Sequence, residues 1–104
     1  MQITEKAIKD IEDIMDYIAF ENHQPINALK IEKDIFYIIE KIGKNPFVFR
    51  QCPYYPTKTK IYREAFCHKW AIIYKIMAEQ VTILRIIHSS KSNKFKKSAL
   101  NSKN

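Results

Sequence analysis

The sequence predicts a single α+β domain in which an N-terminal antiparallel helix hairpin packs on a C-terminal antiparallel β-sheet. Apolar residues recur with a helical period as far as Ile42, and three short β-branched runs joined by two-residue gaps follow between residues 60 and 88. A connector at 44–60 contains three prolines, which exclude regular structure between the two patterns. A chain of 104 residues has room for one such domain with one modest core.

The first helix is expected to begin after Thr4, a suitable N-cap, and to end near Asn22. Its apolar residues follow the i, i+3, i+7 spacing of a single buried stripe: Ile8, Ile11, Met15 and Ile18. Acidic residues fall largely outside this stripe, so the opposite face of the helix is expected to meet solvent.

The second helix is expected to begin at Pro25, because proline at the first helical position loses no hydrogen bond. Its apolar stripe runs for about five turns to Ile42. Gly43, the only glycine of the chain, follows the stripe and is predicted to cap the helix in the left-handed conformation, with Pro46 preventing continuation. The short link between the helices predicts an antiparallel hairpin.

Three strands are predicted at 60–66, 69–77 and 80–88, and the two-residue gaps favour an antiparallel meander. The second and third strands are apolar on both faces, so they should be central and covered. The domain is expected to span 1–97, and the Lys- and Ser-rich residues 98–104 are expected to form a flexible basic tail.

Charge divides the chain into two halves. Residues 1–40 carry a net charge of −5, whereas residues 41–104 carry +12, and a basic surface of this kind suits a phosphate-bearing or acidic partner. No segment has the length of a membrane span or the pattern of a signal peptide, so a cytoplasmic protein with free thiols at Cys52 and Cys67 is expected. No cofactor motif and no metal-ligand spacing occur, so no cofactor or metal is expected.

The candidate site consists of cations among the predicted strands: Arg63, Arg85, His88 and Lys91. Strand alternation allows Arg63 and His88 to share one face of the sheet, which Arg85 would share only if a β-bulge intervened. A histidine beside an arginine suits proton transfer and phosphate stabilisation in RNA cleavage by a 2′-hydroxyl. The alternative is a strand-end histidine bonded to backbone, with surface cations that only maintain solubility.

Three weaker features also have two interpretations. Phe66, Trp70 and Tyr74 could stack nucleic-acid bases or pack within the sheet; core packing is favoured for Tyr74, and both interpretations stay open for Trp70. Glu64 could form an acid–base pair with His68, although a salt bridge to a lysine is favoured. The lysines of the C-terminal run could hold a nucleic-acid backbone or simply be solvated: Lys91, Lys94, Lys96 and Lys97.

Taken in order, several segments resemble the RelE/ParE superfamily of type II toxins, and its ParE-like plasmid-stabilisation branch most closely. The segments are AIKDIEDIMDYIAFEN, PINALKIEKDI, the NP at 45–46, the YR at 62–63, IIYKI and ILRIIH. The resemblance implies a toxin neutralised by a small acidic antitoxin. ParE-like members act on DNA gyrase, and RelE-like members cut mRNA on the ribosome without metal. The catalytic positions of the ribonuclease branch correspond here to Arg63 and His88.

The chain departs from the family pattern at two points. Only Met1–Ile3 are available for the usual opening strand, which either shortens the sheet or leaves an edge that an antitoxin strand could fill. Lys91 stands where the family commonly has arginine, so the planar fork for phosphate recognition is lost.

The resemblance favours a ParE-like inhibitory binder of a target such as DNA gyrase, with Arg85, Lys91, Lys94, Lys96 and Lys97 in target or nucleic-acid contact. A ribosome-dependent mRNA endoribonuclease is the alternative, and a plain nucleic-acid-binding module is the third hypothesis. An acidic antitoxin is expected to cover the basic surface and the groove of the helix hairpin.

Overall fold

Two helices and a four-stranded sheet account for the regular structure of residues 1–50 and 61–90, the part of the chain that the computed structural model describes. Helix α1 spans Glu5–Asp16 and continues as one π-helical turn, Tyr17–Glu21, and helix α2 spans Pro25–Lys44. The strands are β1 (Gln2–Ile3), β2 (Tyr62–Cys67), β3 (Trp70–Met77) and β4 (Gln80–His88). The α+β class predicted from the sequence is confirmed. The predicted tail at 98–104 lies outside the described residues.

Thr4 joins the first helix to the sheet. Its Oγ1 accepts the Ala7 backbone N–H at 3.1 Å, as expected of an N-cap, and its hydroxyl donates to the Leu84 carbonyl of β4 at 2.9 Å. At the other end, the Asn22 N–H donates to the Tyr17 carbonyl at 3.1 Å. Both predicted ends of the first helical segment are therefore confirmed.

Gly43 is not the left-handed cap that the sequence predicts. The helix continues to Lys44, and its last turn is closed by the Asn45 N–H, which donates to the Lys41 carbonyl at 2.9 Å. A Cβ built at Gly43 would lie 3.2 Å from Cε of Met1. Because Gly43 has no side chain, Met1 can approach the helix closely at this position. The local sequence does not reveal this contact.

The sheet has the order β1-β4-β3-β2. Strands β2, β3 and β4 form the predicted antiparallel meander, with turns at His68–Lys69 and Ala78–Glu79. The first turn lies one residue later than predicted. Strand β1 pairs in parallel with β4, so the sheet is mixed and not wholly antiparallel. The parallel pair arises because the chain crosses the sheet as the helix hairpin before entering β2 at the opposite edge.

The helix hairpin covers one face of the sheet. From α2 it buries Ala28, Ile31, Ile35, Ile39 and Ile42. These residues pack in one cluster with buried residues of the strands, among them Ile72, Tyr74 and Ile83. Strand β3 is buried from Ala71 to Tyr74, in agreement with its prediction as a central strand. None of the described helices is both long and apolar enough to cross a membrane.

Strand β4 contains a β-bulge, the irregularity that Arg85 would need in order to share a face of the sheet with Arg63 and His88. Ile73 pairs with Arg85, but the next residue of β3, Tyr74, pairs with Ile83, so Leu84 is an additional residue in β4. The bulge changes the alternation of faces along β4, so that both Ile83 and Ile86 lie in the core beneath the helices.

Candidate functional site

Arg63 lies near the start of β2, and its guanidinium is bound by the chain's own backbone. Nη1 donates to the Phe49 carbonyl at 2.7 Å and to the Phe47 carbonyl at 3.4 Å. The guanidinium carbon also lies 5.0 Å from the centre of the Phe47 ring, a cation–π contact. Arg63 thus fastens the segment that follows α2 against the edge of the sheet.

Two further side chains hold the same segment. The Tyr74 hydroxyl donates to the Pro46 carbonyl at 2.7 Å, and burial raises the pKa of Tyr74 to about 12. The fully buried carboxylate of Glu64 accepts Nε of Arg50 at 2.9 Å. We call Arg63, Tyr74, Glu64 and the segment 46–50 the loop clamp.

The loop clamp decides two of the sequence-based alternatives. Tyr74 is a core residue, as favoured, and within the described residues Glu64 forms a salt bridge with Arg50. Two lysines close to Glu64 in the sequence, Lys58 and Lys60, lie outside the described residues. The acid–base pair of Glu64 with His68 is not formed, because His68 Nε2 lies 2.6 Å from Oδ2 of Asp34 on α2.

Arg85 is held by helix α1. Its Nε and Nη2 donate to the two carboxylate oxygens of Asp10 at 2.8 and 3.1 Å, and this hydrogen bonding raises the pKa of Arg85. Oδ2 of Asp10 also accepts the Ile86 backbone N–H at 2.9 Å. Strand β1 is paired with β4 only at residues 82 and 83. Asp10 therefore accepts a backbone hydrogen bond from β4 beyond the two residues that pair with β1.

His88 ends β4 and has a different environment. Its Nδ1 accepts the Ser90 backbone N–H at 3.2 Å and lies 2.7 Å from the Ser90 hydroxyl. The ring stands edge-on to Trp70, with centroids 5.2 Å apart. Because Nδ1 accepts a backbone proton, neutral His88 carries its own proton on Nε2. Within the described residues, Nε2 has no hydrogen-bond partner.

Arg63 and His88 share a face of the sheet, as predicted, but they do not share a site. Arg63 is level with Tyr74, whereas His88 is level with Trp70 and Cys67. The four-residue offset along β2 corresponds to about 13 Å along the strand direction, and the two residues are also two strands apart. The other predicted contact residues, Lys91, Lys94, Lys96 and Lys97, lie outside the described part of the chain.

A cleft of about 890 Å³ opens at the His88 end of the sheet, and we call it the end cleft. It lies between the turn of the helix hairpin, the β2–β3 turn and the end of β4. Its lining residues are Tyr17, Ile18, Asn22, Gln24, Asn27, Lys30, Ile31, His68, Lys69, Trp70, His88 and Ser90. None of these described lining residues is acidic. Its volume is within the range of ~300–1,000 Å³ that is usual for small-ligand clefts.

Comparison with known proteins decides the family. The family model for the ParE toxin of the type II toxin–antitoxin system parDE matches residues 1–93. The chain belongs to the ParE toxin family. The resemblance inferred from the ordered motifs is therefore confirmed over nearly the whole chain.

The fold of this ParE-family toxin is also similar to a solved structure. That structure is described as the chromosomal ParDE TA system from P. aeruginosa; the TM-score is 0.57 and the identity 24%, with 84% of this chain and 91% of that chain covered. No curated protein is similar enough in sequence to match. At this identity the structural likeness supports the fold alone.

Much of the end cleft of this ParE-family toxin escaped the sequence reasoning. His88 is a predicted site residue and Trp70 has two interpretations, whereas Lys30, Lys69 and the carboxamides are not among the predicted residues. A signal was present in the sequence: Asn22, Gln24 and Asn27 flank Pro25 where the chain reverses between its helices. Their significance depends on the β2–β3 turn lying opposite, which the local sequence does not disclose.

Residues 1–50 and 61–90 contain no group of three or more histidine, cysteine, aspartate or glutamate side chains that could hold a metal ion. Cys67 is buried, and burial raises the pKa of its thiol. Raising a thiol pKa reduces the thiolate fraction at neutral pH, so Cys67 is a core residue and a poor nucleophile.

Proposed function

We propose that this ParE-family toxin inhibits DNA gyrase by binding to the gyrase–DNA complex, and not by cleaving RNA. One observation carries the choice between the two activities. A ribonuclease built on Arg63 and His88 needs both side chains at one phosphate. Arg63 instead donates to two backbone carbonyls of the loop clamp, about 13 Å along the sheet from the level of His88.

The end cleft is the surface that we assign to target contact. It combines lysine, histidine and aromatic side chains, and none of its described lining residues is acidic. Such a surface is electrostatically complementary to a nucleoprotein target, whose phosphates are negatively charged.

The target is tested by adding the purified toxin to relaxed plasmid, ATP and DNA gyrase and measuring supercoiling. We expect supercoiling to fall with increasing toxin and to recover when the antitoxin is added. The same preparation is tested in a purified translation system, where the 5′ ends of the mRNA are mapped by primer extension. Undiminished supercoiling together with codon-positioned mRNA cuts would reject gyrase inhibition.

Ribosome-dependent mRNA cleavage is the second candidate, because Nε2 of His88 lies in a cleft that also contains Lys30 and Lys69. In that mechanism Nε2 would transfer a proton and the lysines would stabilise the phosphate. His88→Ala should then abolish the mRNA cuts while the far-ultraviolet circular dichroism stays unchanged. Cuts that persist in this variant would exclude His88 from the chemistry.

We also propose where the acidic antitoxin binds. The exposed side of α2 carries an apolar stripe at helical spacing, which we call the α2 outer stripe: Ile26, Leu29, Phe36 and Tyr37. It lies opposite the buried stripe of the same helix, and Ile26 is 83% and Leu29 67% exposed. Lys33 and Lys41 are exposed along the same helix, and the exposed Lys44 pairs with Glu40 at 3.0 Å. An acidic amphipathic helix matches this arrangement in both polarity and charge.

Leu29→Asp tests the antitoxin site. We expect this variant to arrest growth like the wild type but to be rescued poorly by the antitoxin, because a carboxylate would interrupt the apolar contact and repel acidic side chains. Met77→Asp, at another exposed apolar position on the β3–β4 hairpin, is the control and should be rescued normally. Equal rescue of both variants would place the antitoxin elsewhere.

A further inference from the structure

We infer that the end cleft binds one nucleotide, with a phosphate held by its cations and a base held by its aromatic and carboxamide side chains. The nucleotide could be a free one or part of a nucleic-acid strand, since the same groups would recognise either. The biological role of this site rests on the proposed function, because the cleft is the surface assigned there to target contact.

The two lysines and the histidine that could contact a phosphate come from three separate elements. Lys30 belongs to α2, Lys69 to the β2–β3 turn and His88 to the end of β4. Like charges repel, so a bound anion would offset the repulsion between the two lysines that line one cleft. Among the described residues no lining residue carries a carboxylate, and the carboxylate of Asp34 contacts the lining residue His68 at 2.6 Å. A phosphate would serve as the counter-charge of the lysines.

The start of α2 adds backbone donors to the same wall. This helix is 20 residues long, Pro25 occupies its first turn, and the Gln24 side chain makes no capping hydrogen bond. The first N–H groups of a helix have no partner within the helix, and the helix dipole favours an anion there. Lys30 lies in the second turn of the same helix, so the helix start and this lysine both favour an anion on this wall.

Other side chains of the lining are suited to a base. Tyr17 is 53% exposed and Trp70 is partly exposed, so both rings can offer a surface for stacking. Asn22, Gln24 and Asn27 supply carboxamides, which pair with the donor and acceptor edges of bases. Asn27 Nδ2 donates to Oε1 of Gln24 at 3.1 Å, and this bond orients both groups while leaving Oδ1 of Asn27 and Nε2 of Gln24 available.

These features favour a nucleotide over an acidic peptide. An acidic peptide would use the lysines but would offer no flat ring to stack on Tyr17 and Trp70. The orientation of His88 also agrees with an anion. Its Nδ1 is occupied by Ser90, so the remaining nitrogen, Nε2, presents a proton as a donor.

Trp70 makes the site directly measurable because it is the only tryptophan of the chain. The purified full-length toxin is titrated with AMP, inorganic phosphate, a single-stranded oligonucleotide and a tetraglutamate peptide while Trp70 fluorescence is recorded. We expect saturable quenching by AMP and the oligonucleotide. Tighter, salt-sensitive binding of the oligonucleotide would identify a strand as the source, and equal affinities would identify a free nucleotide.

Two lysine variants on the same helix provide the specificity control. Lys30→Met removes a cleft cation, whereas Lys33→Met removes an exposed lysine one turn away that does not line the cleft. We expect Lys30→Met to weaken nucleotide binding about tenfold or more and Lys33→Met to leave it unchanged. Circular dichroism and the melting temperature establish that both variants are folded.

The inference is overturned by absence of quenching with nucleotides up to about 5 mM, by equal binding in the two variants, or by quenching with tetraglutamate alone. The last result would make the cleft a protein-docking site. Nucleotide binding without gyrase inhibition would leave this inference standing and reject the proposed target. Gyrase inhibition without nucleotide binding would support the proposed target and reject this inference.

Discussion

The loop clamp and the end cleft lie at opposite ends of the same sheet and contain similar residue types. Each sets a nitrogen-containing side chain against an aromatic ring, Arg63 against Phe47 and His88 against Trp70. In the loop clamp, Nη1 of Arg63 and the Tyr74 hydroxyl donate to backbone carbonyls of the same chain. In the end cleft, Lys30, Lys69 and Nε2 of His88 line open space. Residue type alone therefore does not identify the functional site. The site is identified by which polar groups already have partners within the fold.

This comparison predicts that variants of the loop clamp lose stability and variants of the end cleft lose binding. The largest effect on stability is expected for Arg63→Ala, because it removes charge-assisted hydrogen bonds and a cation–π contact. We expect the free energy of unfolding to fall by about 3 kcal/mol, measured by urea denaturation. His88→Ala should cost less than about 1 kcal/mol, since it removes one ring contact with Trp70 and solvent-exposed hydrogen bonds with Ser90. Equal losses in the two variants would abolish the distinction.

Asp10 extends the comparison to Arg85, which was predicted to contact the target but is bound within the fold. Asp10→Ala should lower the free energy of unfolding by about 2 kcal/mol, because it removes both the ion pair and the acceptor for the Ile86 N–H. Asp10→Asn keeps an acceptor and should lose about half as much. Asp13→Ala breaks only an exposed pair with Lys9 and is the control, with a loss below about 0.5 kcal/mol. A small loss in Asp10→Ala would indicate that Arg85 is free to act elsewhere.

Tyr74→Phe removes the hydroxyl that holds the Pro46 carbonyl and should cost about 1 kcal/mol at neutral pH. The pH dependence is specific to this residue. The pKa of Tyr74 is about 12 in the folded chain and 10.0 for an ordinary tyrosine, so the unfolded chain loses this proton first as the pH rises. The tyrosine's contribution to stability is full below pH 10 and is lost as the pH rises towards 12. The difference in unfolding free energy between wild type and Tyr74→Phe should therefore shrink across this window; a constant difference would mean that the hydroxyl is not buried.

Gly43→Ala is expected to have the smallest effect, and of opposite sign. Alanine is the better helix former within α2 by about 0.5–1 kcal/mol. The new Cβ would lie 3.2 Å from the end of the Met1 side chain, which is flexible and 55% exposed and can move slightly. A net gain of about 0.5 kcal/mol is expected from thermal denaturation. A loss of stability would show that the contact with Met1 is rigid.

The spacing of apolar residues, together with capping residues and prolines, was sufficient to predict most of the fold. The capping hydroxyl of Thr4, the proline at the start of α2 and the β-branched runs of the sheet are local signals, and each predicted its element. The parallel pairing of β1 and the role of Gly43 could not be predicted in this way. Both depend on the N-terminal residues lying against elements distant in the sequence, β4 and the end of α2.

The candidate site was less predictable for a related reason. Strand alternation correctly set Arg63 and His88 on one face, but the offset between them depends on the register of three strands. The sequence also gave no indication that the Arg63 guanidinium would be used by carbonyls of Phe47 and Phe49. Which cations remain available to a ligand is decided by tertiary contacts.

The central claim is that the end cleft is the working surface of the toxin, and its most direct test is growth after induction of the double variant Lys30→Met/His88→Ala. Wild type and Lys33→Met are induced in parallel, and the soluble folded protein is quantified in each culture. We predict that growth continues with the double variant and stops with the other two chains at the same protein level. Growth arrest by the double variant equal to that of the wild type would contradict the account.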